Sequence, residues 1–397
     1  MQIINIDNLA RATEIFKQIG VDPYGIAAMA PKAGHLNILL KKKSCKVANI
    51  IKQEMLSLGG DAAVARGSVS CSVAATDILI MGTIKQIAAL SGKIEKQPFG
   101  LALISLNLRQ LLDNLRINEY LWRTARREIT LGRRTLIMGI LNVTPDSFSD
   151  GGNYDNLKKA VEHGLIMEAQ GADIIDVGGE STRPGAKSVT TKEELQRVVP
   201  VIERLAAKVE IPLSIDTAKS AVAQAAMAAG AEIINDVTAL GGDKKMAKIA
   251  RETKAALILM HMRGRPLTMQ QGGLHYDDLL YEIMSYLQKS VDKALACSID
   301  KNKLVVDPGI GFGKTAEDNY KILKNLAQLK TMGLPVLIGT SRKSFIGKIT
   351  ADEPQNRREG TAASVAAAIM NGCHIVRVHD VAQMKKVALV TDAIIHA

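Results

Sequence analysis

The chain has 397 residues, 47% hydrophobic, 23% charged and 3% aromatic, with a formal net charge of +11. That length allows two or three domains and a full core without staples. With no apolar run of about 18 residues and an acidic first segment, neither a membrane span nor a secretory signal is expected.

The charge excess is uneven. The first 130 residues hold 17 Lys/Arg against 10 Asp/Glu. Base stacking needs aromatic side chains, which are scarce, so a nucleic-acid partner is not expected. The run Lys41-Lys42-Lys43-Ser44-Cys45-Lys46 reads instead as a solvated helix start. Cys45, Cys71, Cys297 and Cys373 form no Cys-x-x-Cys pair, and read as reduced, buried thiols of a cytoplasmic protein.

In chain order, 8–19 reads as a helix, 35–40 as a strand and 42–58 as a helix. Segments 62–67 and 76–82 read as strands, 84–91 as a helix, 99–106 as a strand and 108–115 as a helix. Together these predict a small α/β domain over 1–117. A linker is expected over 118–132, with Trp122 near its centre. From 133 onward a short apolar run, a polar break and a helical stretch recur. The apolar runs are 135–143, 172–179, 212–217, 232–238, 256–262, 304–309, 335–341 and 375–380. Helices are expected over 156–170, 193–208, 218–229, 243–253, 276–296, 315–330, 359–371 and 381–395. The runs do not alternate with polar residues, as expected of strands covered on both faces. Eight such units predict a (β/α)8 TIM barrel over 133–397. A doubly wound open sheet is less compatible, because no Gly-x-Gly-x-x-Gly follows the first strand.

A barrel of this kind carries its chemistry at the carboxyl ends of its strands. Those ends bring Asn142, Asp176, Asp216, Asn235-Asp236, His261, Asp307, Ser341-Arg342-Lys343-Ser344 and Arg377-Val378-His379-Asp380 to one rim. One such residue could be a helix cap; polar residues at all eight ends are hard to explain that way. Asp216, Asn235 and Asp307 suit a flat heterocycle with amino-imine edges, since carboxylates accept and an amide does both. Thr182, Arg183, Lys343, Arg377 and His379 suit a phosphate or carboxylate. The string from Pro308 to Thr315 imitates a phosphate-binding P-loop but has proline where the motif needs glycine. It reads as a turn along which backbone approaches a ligand, with Phe312 stacking on it. His261 and His379 lack a third ligand, so zinc is not expected, and His261 reads as a satisfied rim histidine.

Several strings together resemble one family. Residues 138–152, 176–185, 214–217, 234–236, 307–314, 341–344 and 377–380 resemble, in order, the loops of dihydropteroate synthases. The resemblance covers about 131–397 and says nothing of 1–130. It implies an enzyme, a sulfonamide target in folate biosynthesis, that joins 6-hydroxymethyl-7,8-dihydropterin diphosphate to 4-aminobenzoate and releases diphosphate. It implies that Asp216, Asn235, Asp307 and Lys343 hold the pterin. Thr182, Asn142, Arg377 and His379 would hold the diphosphate, with Mg²⁺ near Asn142. Phe148, Arg183, Pro184, Phe312 and Ser344 would border the aminobenzoate. Loops around Asp150 and Arg183 would shield the reacting centre, and a homodimer is implied. The rival readings are a methyltetrahydrofolate corrinoid methyltransferase, which would share the pterin pocket but not the diphosphate strings, and a non-enzymatic pterin- or RNA-binding protein.

Overall fold

The computed structural model describes residues 1–4, 6, 8–143, 153–180, 189–264 and 274–397. The chain divides into two compact units, Met1–Ile117 and Asn118–Ala397. No helix among the described residues is long and apolar enough to cross a membrane.

The first unit begins with α1 (Leu9–Ile19) and α2 (Pro23–Ala33). α2 is an element beyond the expected ones, with Asp22 as its cap and proline in its first turn. Then follow β1 (His35–Ser44), α3 (Cys45–Ser57), β2 (Asp61–Val64), β3 (Ala75–Thr83), α4 (Ile84–Ile94) and α5 (Leu101–Arg116). The strands form an antiparallel sheet in the order β1-β3-β2. Ile51, Met55, Ile78, Ile80, Ile87, Leu90 and Leu108 fill its core.

Three expectations fail in this unit. Lys41–Lys43 are strand, not helix start. A register shift after Leu40 lets β1 continue, and Asp77 accepts from Lys42 N–H at 2.9 Å and Lys41 Nζ at 3.0 Å. Ser44 then caps α3. Residues 99–106 are not a strand, because most of them open α5. Leu101, Ile104, Leu108 and Leu112 make its buried face, while exposed Leu103 and Leu106 disguise the helical period as one apolar run. The cysteines are not all reduced either. Cys45 and Cys71 form a disulfide, and only Cys297 and Cys373 are free. Their separation of 26 residues gave no pairing signal.

The second unit opens with a hairpin, β4 (Tyr120–Arg123) and β5 (Glu128–Leu131), where a linker was expected. Eight parallel strands follow, alternating with helices: β6 (Leu136–Asn142), α6 (Asn153–Ala169), β7 (Ile174–Gly178), α7 (Thr191–Ala206), β8 (Leu213–Asp216), α8 (Ser220–Ala229), β9 (Ile233–Asp236) and α9 (Met246–Glu252). The second half continues with β10 (Ala256–Met260), α10 (Leu279–Ala296), β11 (Leu304–Asp307), α11 (Ala316–Lys324), β12 (Leu337–Ile338), α12 (Ser344–Thr350), α13 (Arg358–Met370), β13 (Ile375–Val378) and α14 (Val381–Ile395). The strand order is β11-β10-β9-β8-β7-β6-β13-β12, and a bridge between Val306 and Val336 joins the two ends. The sheet is thus the expected (β/α)8 barrel. α12 is an additional short helix after the seventh strand.

The hairpin closes the amino-terminal end of the barrel. Trp122 is 1% exposed and its indole N–H donates to Lys303 O at 3.2 Å, just before β11. Thr124 Oγ1 donates to Glu232 Oε2 at 2.5 Å, just before β9, and Arg127 pairs with the same carboxylate at 2.6 Å. Tyr120 packs edge-on against His374, just before β13. The polar rim lies at the opposite end.

Candidate functional site

Parallel strands with both faces covered leave polar side chains only where the strand runs out of the core. Asp176 lies in β7, and Asp216, Asn235 and Asp307 at or near the ends of β8, β9 and β11. All four are buried. Arg377, from β13, reaches past β6 to the next two strands. Its Nε donates to Asp176 Oδ2 at 2.6 Å and its Nη2 to Asp216 Oδ2 at 2.7 Å. Asn235 Nδ2 donates to the same Asp176 oxygen at 3.0 Å, while Asp176 Oδ1 is buried without a hydrogen-bond partner among the described residues. A Cβ at Gly178 would stand in ordinary contact, 3.6 Å from Asn142 Oδ1 and 3.9 Å from Asp216 Oδ2, so this position lies beside the floor residues.

The opposite wall comes from β11 and β12. Asp307 Oδ1 accepts from Gly309 N–H at 2.7 Å. Lys343 donates to Ile310 O, and its ammonium stands 4.7 Å from the centre of the Phe312 ring. Gly309, Gly311 and Gly313 all have positive φ. At Gly309 the need is steric as well: a Cβ would fall 2.0 Å from His261 O. His379 Nδ1 lies 3.0 Å from Ser341 Oγ, whose hydroxyl also accepts from His379 N–H. Ser344 is exposed at the start of α12.

Burial governs the charges here. It pushes the Asp216 carboxyl up, to about 7, against the pull of Arg377, and it raises Asp307 against Lys343. It pulls Lys343 down to about 8, against Asp307. Burial also works against the Arg377 cation, but Asp176 and Asp216 more than compensate and hold it charged. Desolvated carboxylates beside an amide and a lysine can donate to, accept from and electrostatically stabilise a flat cationic heterocycle.

The structure therefore brings Asn142, Asp216, Asn235, Asp307, Lys343, Arg377 and His379 to one rim, with Phe312 and Ser344 on the β11–β12 side. Phe148, Asp150, Thr182, Arg183 and Pro184 lie outside the described residues. Asp176 joins the rim residues as a floor residue with no role expected from sequence, because it sits inside an apolar run where its only signal is being a carboxylate. Arg377, assigned to diphosphate, is engaged by two carboxylates of the floor. Among the described residues no group of three or more His, Cys, Asp or Glu side chains could enclose a metal ion.

The model of the pterin binding enzyme family matches residues 138–379. The chain is 48% identical over 263 residues to the dihydropteroate synthase of Bacillus subtilis, covering 66% of this chain and 90% of that one. A probable bifunctional folylpolyglutamate synthase/dihydropteroate synthase of Halobacterium salinarum is 38% identical over 392 residues. That match takes in 98% of this chain, which spans only 46% of the halobacterial protein. Among solved structures, the Clostridium difficile dihydropteroate synthase in the presence of pteroic acid is 49% identical, with a TM-score of 0.63 over 66% of this chain and 98% of that one. On the fold, the rim and these likenesses together, the chain belongs to the pterin-binding enzymes, within their dihydropteroate synthase group.

Proposed function

We infer that this chain catalyses the dihydropteroate synthase reaction, condensing 6-hydroxymethyl-7,8-dihydropterin diphosphate with 4-aminobenzoate to give 7,8-dihydropteroate and diphosphate. The observation that carries it is the Asp176–Arg377–Asp216 cluster at the barrel floor, its two carboxylates and Asn235 buried, facing Asp307 and Lys343. Asp216, Asn235, Asp307 and Lys343 hold the pterin through its amino-imine and carbonyl edges. The bond between the pterin methylene carbon and the diphosphate oxygen breaks, and the electron pair leaves with diphosphate. The anionic carboxylates of Asp216 and Asp307 stabilise the positive charge left on the pterin. The arylamine nitrogen then bonds to the methylene carbon and loses a proton to solvent. Arg377 and His379, with Thr182, take the diphosphate end, and Phe148, Arg183, Pro184, Phe312 and Ser344 border the aminobenzoate. Asp150 and Arg183 exclude water from the cation.

Asn142 offers an amide oxygen at the mouth of the floor, the hard ligand type Mg²⁺ takes when substrate phosphates complete its shell. Magnesium bound there would neutralise charge on the leaving diphosphate. Residues 1–117 take no part in the chemistry in this reading, the barrel unit acts as a homodimer and the protein is cytoplasmic. The Cys45–Cys71 disulfide weighs against that address, since such bonds are rare in reducing compartments. Diphosphate release that requires both pterin diphosphate and 4-aminobenzoate tests the reaction. A methyl transfer from methyltetrahydrofolate, with no diphosphate release, would overturn it.

A further inference from the structure

Lys314 and His261 stand beside the site and are used by none of the steps above. Lys314 is 3% exposed at the end of the glycine-rich turn after β11. Its ammonium lies 2.9 Å from His261 Nδ1, 3.1 Å from Phe312 O and 3.5 Å from His261 O. His261 is buried in turn, edge-on against the Tyr286 ring at 4.9 Å, and its backbone N–H donates to Asp307 O at 2.8 Å. Tyr276 OH donates to Gly313 O at 2.9 Å. The turn from Gly309 to Lys314 is thus fastened to His261, just after β10, and to Tyr276, just before α10.

A phosphate-binding lysine would point outward. This one is directed at neutral acceptors inside the protein, and burying an ammonium there is costly. Burial pulls it down to about 7, with Asp307 and Asp318 opposing and Lys343 assisting. What the arrangement secures is the conformation of one short segment. Phe312 contributes the carbonyl that Lys314 holds and the ring that Lys343 stands over. Ile310, two residues earlier, contributes the carbonyl that receives Lys343.

We propose that Lys314, anchored on His261, is a positioning residue that sets Phe312 and through it the seat of the 4-aminobenzoate ring. The inference rests on the functional reading above. Lys314→Met keeps the length of the side chain and removes its donors. In the full-length protein, the expected result is a KM for 4-aminobenzoate raised about tenfold, the size expected for a buried charged hydrogen bond. The KM for the pterin diphosphate and kcat at saturation should change less than about twofold, because Asp216 and Asn235 are held by Arg377 and Asp176 and not by this turn. His261→Phe keeps the ring contact with Tyr286, removes the acceptor, and should act in the same direction. In a Phe312→Leu background Lys314→Met should add little, since the group it positions is gone. An unchanged 4-aminobenzoate KM, an equal rise in both KM values, or full additivity with Phe312→Leu would overturn the proposal. If Lys314→Met does not fold, His261→Phe decides by the same criteria. A wild-type chain that makes no product overturns the functional reading and this inference with it. A wild-type chain that makes product beside folded variants of unchanged 4-aminobenzoate KM overturns the inference alone.

Discussion

Replacing Arg377 by methionine tests how the floor of the barrel is held together. Arg377 neutralises Asp176, which is 0% exposed, and Asp216, through contacts of 2.6 and 2.7 Å. Methionine fills much of the space but leaves two buried carboxylates without their cation. Breaking a buried pair in this way costs about 3–5 kcal/mol. At roughly 2–4 °C per kcal/mol for a domain of this size, the barrel transition should fall by roughly 6–20 °C. The loss should depend on pH, with a definite sign. Asp216 is raised in the folded chain to about 7 from its ordinary 3.8, so between these values the folded state holds the extra proton. Stability therefore increases as pH falls through that window. Without Arg377 the carboxyl rises further, so at pH 5 it is neutral in the variant and the penalty shrinks. Scanning calorimetry of the full-length protein at pH 5 and pH 8 measures both. A variant within about 2 °C of wild type at pH 8, or one equally destabilised at both pH values, would refute the reasoning. Asp216→Asn added to Arg377→Met should recover part of the stability and none of the synthesis.

Asp307→Asn should weaken pterin binding by about ten- to a hundredfold in titration calorimetry, because a charge-assisted pairing becomes a neutral one. Its backbone contact to Gly309 can survive through the amide oxygen. Lys343, pulled to about 8, is charged below that pH, so pterin affinity should decline as pH rises through about 8. Lys343→Arg, charged throughout, should bind more weakly but lose that slope. A chain beginning at Asn118 should fold and retain synthesis. One beginning at Glu128 should be several degrees less stable, because it loses Trp122 and Thr124 from the closed end of the barrel, and a buried Trp alone is worth about 3–5 kcal/mol. Thermal melts of the two, alongside kcat/KM for the first, check this.

The barrel and most of its rim were legible in the residues alone. Period is a local property: each apolar run is short, unalternating and followed by an amphipathic stretch, so eight βα units can be counted without knowing what any strand touches. Their carboxyl ends then follow from chain direction, which is why Asp216, Asn235, Asp307, Lys343 and Arg377 could be gathered in advance. Local signals misled where packing was one-sided or irregular. The exposed leucines of α5 hid its helix, and the bulge in β1 carried a lysine run into a sheet. Tertiary structure alone decided the pairings across the chain. Asp176 and Arg377 are 201 residues apart, and closure of the sheet through β13 brings them within 2.6 Å. The hairpin at the barrel's closed end, the Cys45–Cys71 bond and the Lys314–His261 contact share that character. Each joins residues whose neighbourhood depends on how distant segments meet, and a pattern along the chain carries no information about that until burial in a shared core fixes the geometry.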